Sequence, residues 1–269
     1  MTIILWIALG LLALASMLPN SGNLRFLSGG LGWISLSIYW FQQPQAYIGI
    51  QDYFNAFLVV IAALASILIA WITFRSKNGQ EREQRDIFSL ARAAAAGGLI
   101  YFMFAEVNTL NTGIISMVTD QAIWLIQKIG FPVVKVAWNE LAINGMVVEI
   151  ILACTAIESI ALFMGVISSA DGAPLLRKSR AFLVSVPVIY ILNIQRVSFT
   201  ASAYGFAWFG TAEESFHIAE HFITKIGSML ALLLISYVVL KMLPEVSDMI
   251  EGVLKMMKIE LHRFTSRQH

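Results

Sequence analysis

The chain has 269 residues, of which 58% are hydrophobic and only 13% are charged. A soluble domain usually has about 25% charged residues, so the composition excludes a water-soluble globule and a disordered chain. The 18 basic and 17 acidic residues nearly balance, which leaves no basic excess of the kind that binds nucleic acid. The single cysteine, Cys154, excludes an internal disulfide and any paired-cysteine metal or redox motif.

Long apolar runs predict an all-α polytopic membrane protein, a bundle of about seven transmembrane helices. In chain order, the predicted spans are residues 2–18, 25–41, 53–74, 89–107, 146–169, 181–203 and 217–240. No basic residue precedes Arg25, so the first run lacks the charged start of a signal peptide and is predicted to be a retained helix. Since no repeat or Pro-rich linker divides the chain, residues 1–269 are predicted to form a single integral membrane domain.

The basic residues predict how these spans are oriented, because connections rich in Lys and Arg stay in the cytoplasm. Most of them fall on one side, namely Arg25, Arg75, Lys77, Arg82, Arg85, Arg92, Arg177, Lys178, Arg180, Lys241, Lys255, Lys258, Arg263 and Arg267. The opposite side carries only Lys128 and Lys135. Seven spans then put the N-terminus outside the cell and the C-terminus in the cytoplasm.

Two segments are predicted to lie outside the membrane core. Residues 108–145 form an outer excursion, in which Ala122, Leu125, Ile126 and Ile129 share one helical face. Such a face is typical of a helix lying in the membrane interface. Residues 244–269 form a cytoplasmic tail that is predicted to begin with an amphipathic helix; a solvated tail is the alternative interpretation.

Ionisable side chains within the predicted spans concentrate in the last three. Charged residues inside a membrane usually face a cavity or the interior of the bundle. They are Glu149, Cys154, Glu158, Arg196, His217, Glu220, His221 and Lys225. Counted along continuous helices, Cys154 and Arg196 lie roughly 24 Å from the inner ends of their spans, and His221 roughly 30 Å. In a hydrocarbon core about 30 Å thick, these three groups converge near the outer face.

A thiol, a guanidinium and an imidazole at one level can carry out nucleophilic acyl transfer. The thiolate attacks a carbonyl, while a fixed cation lowers the thiol pKa or stabilises the oxyanion. The imidazole transfers the thiol proton to the leaving amine. Each residue also has a simpler interpretation: Cys154 as a small buried hydrophobe, Arg196 as a snorkelling side chain, and His221 as a hydrogen-bonded interfacial histidine. The spacing alone leaves both interpretations open.

A competing motif overlaps the third residue. His217-Ile-Ala-Glu220-His221 matches H-x-x-E-H, in which two histidines hold zinc and the glutamate acts as general base. The acidic residues that follow are all predicted to be cytoplasmic, so no third zinc ligand is predicted near this motif. A third class of function is a non-catalytic membrane scaffold, in which the polar cluster only holds helices together.

Three sequence blocks resemble the exosortase/archaeosortase superfamily of integral membrane transpeptidases. Ala153-Cys154-Thr155-Ala156 is similar to the A-C-[ST]-[GA] segment of that family, and Asn193-Ile194-Gln195-Arg196 is similar to its N-x-x-R block. The third block of the family supplies a histidine or an arginine near the outer start of the final span. His221 fits this place best, and His217 is the alternative.

The resemblance covers roughly residues 145–246, which are predicted to hold the catalytic helices. The runs Leu176–Arg180 and Leu243-Pro244-Glu245 resemble archaeosortases in particular. Two features depart from the family pattern. Thr-Ala-Ile-Glu follows Cys154 where a glycine is common in the family. The family pattern assigns no role to Glu158, which is expected only to pair with a basic group. A histidine in the third block leaves the choice between an archaeal and a bacterial subfamily open.

The resemblance implies an enzyme that cleaves surface proteins at a C-terminal signal made of a short motif, a hydrophobic span and a basic cluster. Cys154 is the expected nucleophile, Arg196 stabilises the thiolate or the oxyanion, and His221 is the acid and base. Asn193, His217 and Glu158 are possible supporting residues. The new C-terminus passes through a thioester to a second nucleophile, a membrane lipid in the archaeal branch, at a site facing the cell exterior. No cofactor is implied.

Overall fold

The computed structural model describes residues 2–19, 22–49 and 51–266. Within these ranges the chain is mainly helical, with one small sheet between two helices. The α-helices are α1 (Thr2–Met17), α2 (Asn23–Phe41), α3 (Pro44–Gly49), α4 (Tyr53–Arg75), α5 (Glu81–Glu106), α6 (Asn108–Ile129), α7 (Ile157–Ser169), α8 (Leu175–Phe206), α9 (Ala212–His217), α10 (Thr224–Met242) and α11 (Pro244–Ser266). The strands are β1 (Val134–Ala137), β2 (Glu140–Ile143) and β3 (Met146–Glu149). Residues Ser76–Asn78 and Leu152–Thr155 form 3₁₀ turns, and a π-helix at Ile218–Ile223 joins α9 to α10.

Of the described helices, four are long and apolar enough to cross a membrane, namely Tyr53–Asn78, Glu81–Glu106, Leu175–Phe206 and Ala212–Met242. They coincide with the spans predicted at residues 53–74, 89–107, 181–203 and 217–240, which confirms a helical membrane protein. The remaining apolar helices α1 and α7 are shorter, and α2 has 19 residues. The full set of seven spans and their orientation stay predictions.

The fifth predicted span, residues 146–169, is wrong in its first half. These residues form β3 and the 3₁₀ turn Leu152–Thr155, and helix α7 begins only at Ile157. Between turn and helix, Ala156 has a left-handed backbone with φ of 58°, a conformation that a right-handed helix does not contain. The predicted span arose because the residues of β3 and of the turn after it are nearly as apolar as those of a membrane helix.

The sheet is antiparallel with strand order β1-β2-β3. Asn144 and Gly145, which connect β2 to β3, have φ angles of 51° and 84°, as a two-residue type I′ turn requires. The Asn144 side chain donates a hydrogen bond to the carbonyl of Gly205 at 3.0 Å. A Cβ atom on Gly205 would lie 2.4 Å from Ile143, so glycine at this position lets the hairpin pack directly on the last turn of α8.

The chain forms two compact units. One of them combines residues 100–164 with 174–242, and its core brings α6, the sheet and α8 together. The largest fully buried side chains in this core include Ile126, Leu141, Ile143 and Ile150. Ala122 and Ile126 of the predicted interfacial helix are buried here, whereas Ile129 is exposed. The position of α6 in the membrane interface stays a prediction.

The other unit combines the described residues up to Leu99 with 165–173 and those from 243 onward. In it, α1, α2 and α4 pack closely because α2 carries small residues: a Cβ atom on Gly32 would lie 2.9 Å from Leu12. The tail forms helix α11 from Pro244 to Ser266, and its location in the cytoplasm stays a prediction. Its apolar face is buried, including Val246 and Val253. The single membrane domain stays a prediction.

Candidate active site

Cys154 lies on the 3₁₀ turn between β3 and α7. Its N–H donates to the carbonyl of Ile151 at 2.8 Å, and the Thr155 hydroxyl donates to the carbonyl of Leu152 at 2.6 Å. The thiol is half-buried. The depth predicted for Cys154 assumed an unbroken helix through residues 154–170, whereas α7 begins only at Ile157, so the count along a helix does not apply to it. The hairpin and the turn, rather than a membrane helix, position the thiol.

Asn193 connects helix α8 to this turn. Its side chain is buried, and its Nδ2 donates to the carbonyl oxygen of Cys154 at 2.7 Å. A buried amide that finds such a partner fixes the two backbones relative to each other, because losing the partner would leave an unsatisfied polar group. Asn193, a possible supporting residue by sequence, thus contacts the backbone of Cys154.

Arg196 lies one turn further along α8, and its guanidinium pairs with the carboxylate of Glu220. The second oxygen of Glu220 accepts a hydrogen bond from the Thr200 hydroxyl at 3.2 Å. Arg196 and Thr200 are four residues apart and share one face of the helix. The side chains of Arg196 and Glu220 are 30% and 26% exposed, so the pair is partly open to the space beside it.

His217 and His221 lie where α9 passes into the π-helix. Their rings stack with centroids 4.8 Å apart and an interplanar angle of 13°, and the ring of Phe222 lies 5.8 Å from that of His217. In the π-helix, the N–H of Thr224 bonds to the carbonyl of Ala219, five residues earlier. Such π segments occur frequently at functional sites because they widen the turn. Both imidazoles are exposed.

An open cavity of about 630 Å³ brings these groups together. Its lining includes the three expected catalytic residues, Cys154, Arg196 and His221, together with His217. The rest of the lining is Val147, Val148, Glu149, Ile150, Ile151, Val197, Thr200, Tyr204, Glu213, Phe216 and Glu220. The thiol, guanidinium and imidazole predicted to converge therefore border one space, although they come from a turn, a helix and a π-helix.

Glu158 does not line this cavity. It lines a smaller one of about 150 Å³, together with Asn193 and Ser228, and Arg196 borders both. The carboxylate of Glu158 accepts a hydrogen bond from the Tyr101 hydroxyl at 3.5 Å. The predicted pairing of Glu158 with a basic group is thus replaced by a contact with a phenol.

Burial raises the pKa of the Cys154 thiol above its ordinary value, because a thiolate is poorly solvated there. A backbone hydrogen bond at Ile151 and the charge of Arg196 act in the opposite direction, while Glu220 and Glu149 add to the increase. Arg196 thus favours the thiolate, as expected, but its partner Glu220 opposes it. The thiol of the free protein is protonated at neutral pH.

The sequence model of the transmembrane exosortase family matches residues 1–237 of the chain. The chain belongs to this family. Archaeosortase A of Haloferax volcanii is 28% identical over 258 residues, which cover 83% of this chain and 82% of that protein. Archaeosortase A of Natronomonas pharaonis is 25% identical over 272 residues, covering 88% of this chain and 82% of that protein. No solved structure matches the chain.

The family match extends the resemblance from residues 145–246 to almost the whole exosortase chain. It therefore includes helices α1 to α6, which the sequence had identified only as generic apolar segments. The order of the three blocks holds in the structure, where Cys154 precedes α7, Arg196 lies on α8, and His221 lies just before α10.

The geometry of the H-x-x-E-H segment in this exosortase does not suit a zinc site. A metal ion lies close to the plane of each imidazole that binds it, and two stacked, nearly parallel rings share no such point. Both oxygens of Glu220 are engaged, by Arg196 and by Thr200. Among the residues that the structure describes, no three His, Cys, Asp or Glu side chains are grouped so that they could hold a metal ion.

Sequence reasoning missed two contributors to the candidate site. Glu220 was considered only as a zinc-site base, yet it is the partner of Arg196. The signal was present, because an acid and an arginine within neighbouring membrane helices usually pair with each other. Strand β3 was missed because its residues were assigned to a span, although Asn144-Gly145 between two short apolar runs is a hairpin signal.

Proposed function

We propose that this exosortase-family protein is a membrane cysteine transpeptidase that processes surface proteins at a C-terminal sorting signal. The observation that carries the proposal is the shared cavity of Cys154, Arg196 and His221. These residue types are those that acyl transfer needs: a nucleophile, a directed cation and a group that exchanges protons. The archaeosortases among the relatives of the chain support the same kind of substrate.

The first step forms a thioester with the substrate. His221 accepts the thiol proton of Cys154 as Sγ bonds to the scissile carbonyl carbon, and the carbonyl oxygen becomes an oxyanion. Guanidinium N–H groups of Arg196 donate to this oxyanion, which stabilises the transition state more than the ground state. The C–N bond then breaks, His221 gives its proton to the leaving amine, and the acyl group remains on Sγ.

The second step transfers the acyl group to the acceptor. A hydroxyl or an amine of a membrane lipid attacks the thioester carbonyl and gives its proton to His221. The C–S bond breaks, and His221 returns the proton to the sulfur of Cys154, so the enzyme is restored. The mostly apolar walls of the cavity, including Val147, Ile151 and Phe216, suit both a peptide emerging from the bilayer and a lipid.

A raised pKa of the thiol fits this proton transfer. A protonated Cys154 is a poor nucleophile on its own, so attack requires a base within the same cavity. His221 is exposed to that cavity, and an imidazole is the side chain that most often transfers protons in catalysis. In this mechanism, Cys154 loses its proton during the reaction rather than in the resting enzyme.

The supporting residues have separate roles in this proposal. Asn193 is a positioning residue, because it holds the backbone of Cys154. His217 stacks on His221 and fixes the plane of that ring. Glu158 takes no part in the two chemical steps, since it borders the smaller cavity.

Co-expression with a surface-protein precursor that carries a C-terminal hydrophobic tail tests the function. Loss of the tail is measured by intact mass. The wild-type protein is expected to remove the tail, and Cys154→Ala is expected to leave the precursor at full length because the nucleophile is lost. Ser159→Ala, a change of similar size beside the smaller cavity, is the matched control and is expected to process normally. Processing by Cys154→Ala would overturn the proposal.

A second measurement tests the thioester and the metal alternative. Added hydroxylamine should intercept the acyl group and leave a hydroxamate at the new C-terminus, which mass spectrometry distinguishes from an acid. Direct hydrolysis would give only the acid. Loss of processing with a chelator and its return with zinc would favour the H-x-x-E-H alternative instead.

A further inference from the structure

Strand β3 is an edge strand that borders the cavity. Among the strands that the structure describes, it pairs with β2 only, since the sheet order is β1-β2-β3. Five consecutive residues, from Val147 to Ile151, line the cavity that also contains Cys154. The free edge of the sheet and Cys154 therefore border the same cavity. Three residues separate Glu149, which ends β3, from Ala153, the second residue of the 3₁₀ turn that contains Cys154.

The hairpin geometry determines which backbone groups of β3 point away from β2. After a two-residue turn, the flanking pair Ile143–Met146 is hydrogen-bonded, and pairing alternates along an antiparallel ladder. The pairs of β2 with Val147 and Glu149 are then the non-hydrogen-bonded ones. The bond from the N–H of Ile150 to the carbonyl of Asn139, at 2.8 Å, follows the same alternation.

The N–H and C=O groups of Val147 and Glu149 consequently point to the open edge. Among the described residues, no other backbone group forms a hydrogen bond with them. The side chains alternate in the same way, because Ile150 is buried in the core while Val147 and Glu149 are exposed on the opposite face. Two donors and two acceptors thus lie along one edge, about 7 Å apart in pairs.

We propose that the free edge of β3 binds the scissile segment of the substrate as an added β-strand. The inference rests on the proposed function and adds how the substrate is recognised. An unpaired edge is a template for strand addition, in which the main chain supplies the hydrogen bonds. A peptide repeats a donor and an acceptor at every second residue, which matches the spacing of Val147 and Glu149; a lipid headgroup does not.

Continuity with the nucleophile supports a peptide as the occupant. The edge passes from Val147 through Ile151 into the turn that carries Cys154. A segment held extended along β3 reaches the level of the thiol without bending away from the sheet. Binding in an extended form also presents the scissile amide outside any helix, which frees its carbonyl for attack.

Cysteine cross-linking tests the added strand directly. Cys154→Ala removes the only cysteine, keeps the substrate uncleaved, and accepts one new cysteine as Val147→Cys or Glu149→Cys. A single cysteine is moved along the scissile segment of the substrate, and disulfides are scored on gels. Paired strands bring opposing Cα atoms to about 4.5–5.5 Å, within the range of a disulfide. Each enzyme position should therefore select one substrate position, and the selected position should shift by two residues between 147 and 149.

The direction of that shift shows whether the substrate strand runs parallel or antiparallel to β3, because the two arrangements move the selected substrate position in opposite directions. Lys135→Cys in the same background is the matched control. Lys135 lies on β1, the other edge of the sheet, and is not part of the cavity lining. No preferred substrate position is expected for it.

A kinetic measurement follows with Cys154 intact. Val147→Pro removes one outward N–H without breaking a bond to β2, and an edge strand tolerates proline. KM should rise about five-fold, with kcat little changed, since one substrate hydrogen bond is lost. Lys135→Pro, which removes an outward N–H from the opposite edge, should leave KM unchanged.

The outcomes separate the two proposals. Cross-links that show no preferred position, or none stronger than those of the Lys135 control, would overturn strand addition while leaving the cysteine mechanism intact. Loss of the substrate tail in the Cys154→Ala background would instead overturn the proposed function. A two-residue shift together with a raised KM for Val147→Pro supports both.

Discussion

At the scale of single residues, Glu220 has two opposing effects on the site. It holds the guanidinium of Arg196 in one place together with Thr200. Its negative charge also raises the pKa of Cys154, which the positive charge of Arg196 lowers. A neutral isostere of Glu220 removes the charge and also weakens the contact with Arg196. The two effects can be separated because the charge acts on the reactivity of the thiol, whereas the position of Arg196 acts on processing.

Glu220→Gln should make the thiol more reactive and the enzyme slower. Without the carboxylate, the pKa of Cys154 falls, so the thiolate fraction at neutral pH increases and the pH profile of alkylation moves to lower pH. Processing should nevertheless drop by about 10²-fold, because Arg196 is no longer held where the oxyanion forms. Alkylation rates and tail removal measure the two effects.

Glu213→Gln is the matched control, since Glu213 also lines the cavity but Arg196 pairs with Glu220. It should change neither measurement by more than about two-fold. If Glu220→Gln lowers the reactivity of the thiol, or leaves processing unchanged, the role assigned to Glu220 is wrong.

The two histidines should differ in their contribution although their rings stack. His221→Ala should reduce processing by about 10²–10⁴-fold, as expected for a lost acid and base. His217→Ala should cost no more than about ten-fold, because only the support of the neighbouring ring is lost. Membrane content, measured by blotting, should be equal for both. An inactive His217→Ala beside an active His221→Ala would move the third catalytic position by one turn.

At the scale of elements, continuous helices were predictable and the reactive turn was not. The run 181–203 predicted α8, because apolar stretches of this length have few alternatives to a membrane helix. The hairpin before Cys154 has equally apolar residues, such as Val147 and Val148, so hydropathy merged it with α7. Only the Asn144-Gly145 dipeptide distinguishes it, through its turn geometry.

The backbone of Ala156 is strained. Its φ of 58° is one that glycine adopts without strain. For alanine, a left-handed backbone costs about 1–2 kcal/mol. The turn that presents Cys154 thus retains some strain in this protein.

Ala156→Gly should stabilise the protein by up to about 1 kcal/mol, since relief of the left-handed strain exceeds the entropy lost by glycine. Processing should be unchanged, because the direction of the chain is kept. Thermal unfolding in detergent measures the effect. Ala153→Gly is the control, because Ala153 has no positive φ and the same substitution should destabilise there. A lower unfolding temperature for Ala156→Gly would show that the turn is not strained.

At the scale of the whole molecule, the sequence suggested which residues form the candidate site but not the contacts that bring them together. Arg196 lies on α8, and His221 lies in the π-helix that joins α9 to α10, so both belong to helical segments as predicted. Cys154 is positioned at the same cavity differently. The hairpin before it packs on Gly205, and the side-chain amide of Asn193 donates a hydrogen bond to its carbonyl. Such contacts join residues distant in sequence, and no local pattern encodes them.

Orientation in the membrane decides whether the cavity can meet its substrate. Helix α8 has 32 residues and is about 48 Å long, which exceeds a hydrocarbon core of about 30 Å. Its two ends therefore lie on opposite sides of the bilayer if it spans. The basic run at Arg177–Arg180 assigns the first end to the cytoplasm, so the cavity near the other end is predicted to open to the cell exterior, where a surface protein has its scissile segment.

Single cysteines in the Cys154→Ala background test this orientation. Lys77→Cys and Ser179→Cys occupy exposed positions near the basic clusters, and Glu213→Cys lies on the lining of the cavity itself. A membrane-impermeant maleimide should label only Glu213→Cys on intact cells, and all three once the membrane is opened. Labelling is measured by a mass shift on gels. If Ser179→Cys reacts on intact cells and Glu213→Cys does not, the cavity opens to the cytoplasm, where the scissile segment of a surface protein cannot reach Cys154, and the proposed function fails with the orientation.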